Sequence, residues 1–151
     1  MEVQFMIISF CGHAQFLKND NDKDKILNFL EEKVGDREAD IYLGGYGNFD
    51  AFAYSCCKKY KENHPRISLI FITPYMPIKN NVYQFQYDGI IFPEIENRPL
   101  KYAIYHRNKW MMEKADYVIA YINHDWGGAY TAYKHAKRKG KVVFNLGELK
   151  D

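Results

Sequence analysis

The sequence predicts an α/β fold of the Rossmann-like kind, in which a largely parallel sheet lies between layers of helices. Short apolar runs alternate with segments of helical periodicity along the 151 residues. The runs are apolar at nearly every position, which is typical of strands buried on both faces of a parallel sheet. Residues 1–151 are therefore expected to form a single three-layer domain.

Strands are predicted wherever apolar residues run without interruption. In chain order, these runs cover 5–10, 41–43, 67–73, 87–92, 117–122 and 142–146. The stretch 75–86 has no clear period and is expected to be an irregular loop.

Helices are predicted between these strands from apolar residues at helical spacing and from residues that start or end a helix. Asn21 or Asp22 can cap the first helix, and Asp50 is well placed to start the second. Gly35 and Gly140 can end the first and the last. The predicted helices cover 22–34, 50–63, 100–114 and 131–139.

Composition excludes several classes of protein. A net charge of +2, from 21 basic and 19 acidic residues, does not favour DNA binding through overall charge. Cys11, Cys56 and Cys57 form neither a disulfide framework nor a zinc-binding spacing, and no run is long enough to span a membrane. The expectation is a reduced, cytoplasmic protein without a membrane segment. The aromatic fraction of 17% indicates an aromatic-rich core or rings that line a ligand pocket.

Two glycine-rich turns at the carboxyl ends of predicted strands indicate a binding site. The first turn holds Gly44, Gly45 and Gly47, and the second holds Gly127 and Gly128. Glycine lets the backbone approach a ligand, and the N-terminus of the helix that follows attracts anions. Ligands of parallel sheets bind at this edge, near the point where the strand order reverses. The turns therefore predict a site for a phosphorylated or nucleotide-like molecule.

Four side chains are candidates for ligand contact beside these turns. Arg107 can hold a phosphate or carboxylate through its planar guanidinium, and Asn108 can read a base or a sugar. The other interpretation of Arg107 is a salt bridge to an acidic neighbour on a solvated helix. Asp50 can bind a ribose hydroxyl or cap its helix, and Thr131 can bond to a ligand or within its own helix.

Gly12 and His13 follow the first predicted strand, where a ligand should also pass. His13 can act as an acid or base near neutral pH, although a histidine without a visible partner is more often structural. The histidines show no metal-ligand spacing. No metal or cofactor is expected, and no catalytic residue is assigned.

Several stretches, in their order and spacing, resemble the SLOG superfamily. The most specific are 107–112, RNKWMM, and 126–132, WGGAYTA; the others are 44–53, 64–70, 74–75, 115–116, 140–141 and 145–146. This Rossmann-like group includes LOG phosphoribohydrolases and DprA-type DNA-processing proteins, and the chain is most similar to its YpsA-like branch. The resemblance implies a Rossmann-like fold and a pocket for a nucleotide or an ADP-ribose-like molecule.

The chain departs from the LOG motif where that motif carries its chemistry. LOG enzymes have the pattern Pro-Gly-Gly-x-Gly-Thr-x-x-Glu with a catalytic glutamate, but here Tyr130 replaces a glycine and Lys134 replaces the glutamate. Cleavage of an N-glycosidic bond passes through a cationic sugar, which a lysine does not stabilise. Binding is therefore expected rather than LOG-type hydrolysis.

The expected function is binding or sensing of a nucleotide-derived small molecule. One alternative is a nucleosidase or a nucleoside or phosphoribosyl transferase that uses Asp50, Glu113 or Asp116. Another is DprA-like nucleic-acid binding, although specific binding of duplex DNA is not expected. Some aromatic residues can also serve the surface of a homo-oligomer, namely Tyr83, Phe85 and Tyr87.

Overall fold

A computed structural model of the protein describes residues 5–75, 87–93, 99 and 102–149. Apart from Tyr75, the predicted loop 75–86, with Tyr83 and Phe85, lies outside these residues. Within them, strands and helices alternate along most of the chain. In order they are β1 (Met6–Gly12), α1 (Asp22–Lys33), β2 (Ala39–Leu43), α2 (Gly47–Lys61), β3 (Ile67–Ile72), β4 (Gly89–Ile91), α3 (Ala103–Lys114), β5 (Tyr117–Tyr121), α4 (Gly128–Arg138) and β6 (Val142–Asn145).

The strands form one parallel sheet, which confirms the predicted fold class. Their order is β4-β3-β2-β1-β5-β6. The chain builds outward from β1 in one direction and then returns to add β5 and β6 on the other side. The strand order therefore reverses between β1 and β5, and a crevice is expected at their carboxyl ends.

The helices cover both faces of the sheet. Helices α1 and α2 contact each other on one face, and α3 and α4 contact each other on the opposite face. Adjacent residues of a strand pack on opposite sides of the sheet. In β2, Leu43 packs in the cluster with Phe49, whereas Tyr42 packs in the cluster with Met111. No helix among the described residues is long and apolar enough to cross a bilayer.

Helix α2 begins three residues before the predicted start at Asp50. The carboxylate of Asp50 accepts a hydrogen bond from the N–H of Tyr46 at 3.0 Å, so it closes the first turn from inside the helix. Helix α4 likewise begins at Gly128, ahead of the predicted start at Thr131. Its N-cap is Gly127, whose φ of +95° turns the chain directly into the helix.

Candidate functional site

A cavity of about 360 Å³ lies at the carboxyl ends of β1, β2 and β5, where the strand order reverses. Its walls are the segments that follow these strands, one side of α3 and the first turn of α4. Most of the residues that the sequence predicted for the site line it, namely Gly12, His13, Gly44, Asp50, Arg107, Asn108, Gly127 and Gly128. The structure therefore brings together residues from both halves of the chain.

Three predicted site residues lie outside this lining. Gly45 and Gly47 border a separate groove beside α2. The hydroxyl of Thr131 donates a hydrogen bond to the carbonyl of Gly127 at 3.0 Å, inside α4. Thr131 therefore bonds within its own helix, which is one of the two roles that the sequence left open.

Two N–H groups of the first glycine turn have acceptors within the protein. The N–H of Asn48 donates to the carbonyl of Ala14 at 2.9 Å, and the N–H of Tyr46 donates to the carboxylate of Asp50 at 3.0 Å. Tyr46 and Asn48 therefore do not offer free N–H groups to a ligand at the start of α2. The sequence predicted that Gly44, Gly45 and Gly47 present their amides to a phosphate, and of these three glycines Gly44 lines the cavity.

The second glycine turn is open. The first hydrogen bond within α4 runs from the N–H of Thr131 to the carbonyl of Gly127, so the N–H groups of Gly128, Ala129 and Tyr130 precede the helical ladder. No side chain caps this helix, and Gly127, Gly128 and Ala129 line the cavity. The positive end of α4 therefore faces space in which an anionic group fits.

The glycines that line the cavity are explained by different structural constraints. A side chain at Gly12 would overlap the ring of Phe49, and a Cβ at Gly44 would lie 3.2 Å from the guanidinium of Arg107. Close packing within the protein explains both. A Cβ at Gly128 would meet no atom within 4 Å, so this glycine instead leaves room in the cavity.

Arg107 is buried and bonded to the protein, with 3% of its surface exposed. Its Nη1 donates to the carbonyls of Gly44 at 2.9 Å and Ile72 at 2.8 Å, and its Nε donates to Oδ1 of Asn108 at 2.9 Å. Burial lowers the pKa of the guanidinium, and the charge of Asp50 counteracts this effect. Arg107 therefore joins the ends of β2 and β3 to α3, in place of the solvated salt bridge that the sequence allowed.

Of the three carboxylates that the enzyme alternative would use, only Asp50 lines the cavity. Oε1 of Glu113 lies 2.9 Å from Nε2 of His135, in an ion-pair geometry between α3 and α4. Oδ2 of Asp116 accepts the N–H of Ile7 at 2.8 Å, at the amino end of β1. Both side chains thus have structural partners away from the cavity.

The environment of Asp50 makes its carboxyl a weak acid. Burial raises its pKa to about 6, although the N–H of Tyr46 and the charge of Arg107 act in the opposite direction. A carboxyl with this pKa takes up a proton in mildly acidic solution.

Three stacked rings, His13, His124 and Trp126, form a histidine–tryptophan stack at the cavity. The rings of His13 and His124 lie 3.6 Å apart at 15°, and those of His124 and Trp126 lie 3.8 Å apart at 18°. Among the described residues, Nε2 of His13 and Nδ1 of His124 are buried without a hydrogen-bond partner. Burial, and next the neighbouring His124, lower the pKa of His13 to about 4, so its ring is neutral at pH 7.

Exposed aromatic side chains are concentrated at the carboxyl edge of the sheet. Four of these residues follow the ends of β2, β3, β4 and β5, and two lie at the start of α3. Each residue is between 42% and 66% exposed. We call this set the aromatic edge: Tyr46, Tyr75, Phe92, Tyr102, Tyr105 and Trp126. The sequence did not reveal it, because the aromatic residues could equally have belonged to the core.

The fold and the cavity define a class: an α/β protein with a Rossmann-like parallel sheet and a site at the reversal of strand order. No family model and no curated protein matches the chain. Among solved structures, it is similar to DNA processing protein A (DprA) from Helicobacter pylori, with a TM-score of 0.64 and 18% identity over 97% of this chain and 67% of that one. It is also similar to DprA from Streptococcus pneumoniae, with a TM-score of 0.65 and 17% identity over 97% of this chain and 52% of that one.

At this level of identity the comparison shows the fold, and it agrees with the Rossmann-like fold that the SLOG resemblance implied. The chain spans about two thirds of one DprA protein and about half of the other. The likeness to the LOG and YpsA-like branches stays a prediction.

The comparison corrects the expected partner. The H. pylori structure is described for its unique single-stranded DNA binding mode, and neither structure is described as binding a small molecule. The prediction of a nucleotide-derived small molecule as the partner is therefore wrong. It rested on turns that suit a phosphate, and a phosphate is equally part of a polynucleotide. The expectation that specific duplex DNA is not bound is compatible with the comparison.

Proposed function

We propose that this protein binds single-stranded DNA at the carboxyl edge of its sheet. The observation that carries the proposal is the open first turn of α4, which faces a cavity beside the aromatic edge. The free N–H groups of Gly128 and Ala129 suit a backbone phosphate. The exposed rings suit unpaired bases, because every base has a face that can stack on an aromatic side chain.

The extent of the aromatic edge favours a DNA strand, rather than a single nucleotide, as the partner. Tyr75 and Phe92 lie after β3 and β4, whereas Trp126 lies after β5, so the rings are spread across the sheet. A single base occupies one stacking position, but a DNA single strand offers one base after another. In duplex DNA the faces of the bases are stacked on one another inside the double helix and are not available. The similarity to DprA supports this proposal for the part of those proteins that the chain spans.

The first prediction is that the protein prefers single strands and shows a shallow salt dependence. A labelled oligothymidylate of about 20 nucleotides is expected to bind at least about tenfold more tightly than a hairpin duplex of equal length. The net charge is only +2. If two or three phosphates are contacted, log K should fall with log salt with a slope of about −1.5 to −2. Fluorescence anisotropy between about 50 and about 200 mM salt measures both quantities. Equal affinity for the duplex, or no binding of the single strand, would contradict the proposal.

The second prediction concerns the space in front of α4. Gly128→Val is expected to weaken oligothymidylate binding by about tenfold or more, since the new side chain would fill the place of the phosphate and remove charge-assisted hydrogen bonds. The melting temperature should remain close to that of the wild type, because a Cβ there meets no atom within 4 Å. Gly45 is a poorer choice, since its φ is +65° and a Cβ would lie 2.8 Å from Phe71.

The matched control is Asn28→Val, which places the same side chain at an exposed position of α1, on the other face of the sheet. It is expected to leave binding unchanged. Wild-type affinity in Gly128→Val would show that the phosphate binds elsewhere.

A further inference from the structure

We infer that the outer face of Trp126 is a stacking subsite for one unpaired nucleobase, and that His124 and His13 are positioning residues that hold the indole. This inference rests on the proposed function. It goes further by naming a base contact and the side chains that support it.

The stack leads from the core to the surface. Tyr121, with 5% exposure, contacts the His13 ring edge-on at 6.3 Å and 82°, and His13 itself is 7% exposed. The backbone N–H of His13 also donates to the carbonyl of Tyr121 at 3.2 Å. His124 covers His13, and Trp126 covers His124 with 66% of its own surface still exposed. One face of the indole is therefore supported and the other is available.

The support matters because Trp126 lies in a loop, between β5 and α4. An exposed side chain on a loop samples several rotamers, and ordering it on binding lowers affinity. Stacking on His124 orders the indole before a ligand arrives. The stack is thus a preorganised platform.

The position of Trp126 in the chain links this platform to the open helix end. Gly127 and Gly128 follow directly, and the N–H groups at the start of α4 face the same cavity. A base on Trp126 and the phosphate of the same nucleotide, or of its neighbour, can therefore be bound by adjacent residues. The two contacts together would fix the register of the strand on the protein.

The histidines hold the indole through their ring faces. Nε2 of His13 and Nδ1 of His124 have no hydrogen-bond partner among the described residues, whereas the ring faces are in contact at 3.6 and 3.8 Å. An aromatic ring without nitrogen should therefore support Trp126 equally well. This expectation separates a positioning role from one in hydrogen bonding or proton transfer.

Base stacking is tested with two strands of equal length, an oligothymidylate and an oligomer of abasic tetrahydrofuran units with the same phosphates. Trp126→Ala is expected to weaken binding of the oligothymidylate about tenfold and to leave binding of the abasic oligomer unchanged. The control is Phe5→Ala, because Phe5 is 56% exposed but lies at the amino end of β1; it should change neither affinity. If Trp126→Ala binds oligothymidylate as the wild type does, the subsite is overturned while the proposed function stands. If the wild type binds neither strand, both fail.

The positioning role is tested in a Trp110→Phe background, where Trp126 is the remaining tryptophan. Trp110 is half-buried against Tyr42 and is not part of the cavity lining, so phenylalanine preserves its packing. His124→Ala should make the indole more mobile in fluorescence anisotropy decay and weaken oligothymidylate binding about threefold to tenfold. His124→Phe should restore both. Unchanged indole mobility and affinity in His124→Ala would overturn the positioning role, as would failure of His124→Phe to restore them.

Discussion

Replacing Arg107 by methionine is expected to lower the free energy of unfolding by about 3–5 kcal/mol, although the residue lines a surface cavity. The buried carbonyls of Gly44 and Ile72 would lose their donor, and an unpaired buried polar group costs about 1–3 kcal/mol. Asp50 would also lose the positive charge that favours its ionised form. Urea unfolding followed by circular dichroism measures the effect.

An exposed arginine provides the matched control. Arg66 lies 3.6 Å from Glu38, with 61% of its side chain and 52% of that of Glu38 exposed. Arg66→Met is expected to change the free energy of unfolding by less than about 1 kcal/mol, because exposed ion pairs contribute little. If Arg107→Met were equally mild but abolished oligonucleotide binding, the anion-clamp hypothesis for Arg107 would be favoured over its structural role.

The sheet could be predicted from the sequence because its strands are buried on both faces. Val118 and Ile119, which are adjacent in β5, pack in opposite clusters, so a strand of this sheet must be apolar at nearly every position. The start of α1 at Asp22 agrees with the prediction, but the starts of α2 and α4 could not be predicted to the residue. Starts are sought at polar N-cap side chains, but α2 and α4 begin at glycines without a side-chain cap. Asp50 was therefore predicted to start α2, although it lies inside the first turn of that helix.

The place of the cavity could also be predicted, because glycine turns at strand ends meet at one edge of a parallel sheet. What each residue does there depended on contacts between distant parts of the chain. Arg107 donates to the ends of two strands, and His13 stacks on a residue that follows β5. The glycine turns could not specify the partner either, since a turn that suits a phosphate does not distinguish a mononucleotide from a polynucleotide.

Two groups of the cavity have pKa values that burial shifts in opposite directions. Burial raises the pKa of Asp50 from 3.8 to about 6 and lowers that of His13 from 6.5 to about 4. For His13 the unfolded chain binds the proton more tightly, so its contribution to stability is complete above about pH 6.5 and is lost as the pH falls towards 4. For Asp50 the folded protein binds the proton more tightly, so its contribution is complete below about pH 3.8 and is lost as the pH rises through 6. The two effects oppose each other in the wild type.

Removing either group is therefore expected to reveal the pH dependence of the other. Between about pH 7 and about pH 4, Asp50→Asn should lose about 2–3 kcal/mol more of its free energy of unfolding than the wild type, because only the effect of His13 remains. His13→Phe keeps a ring in the stack and should lose about 2–3 kcal/mol less over the same range. Urea unfolding across this range measures the free energy of unfolding of each variant and of the wild type. In the difference between the two values, the titrations of the groups that both proteins share cancel. Asp20→Asn makes the same chemical change as Asp50→Asn at an exposed position and should run parallel to the wild type. Parallel curves for all four proteins would show that the cavity leaves the pKa values of Asp50 and His13 unshifted.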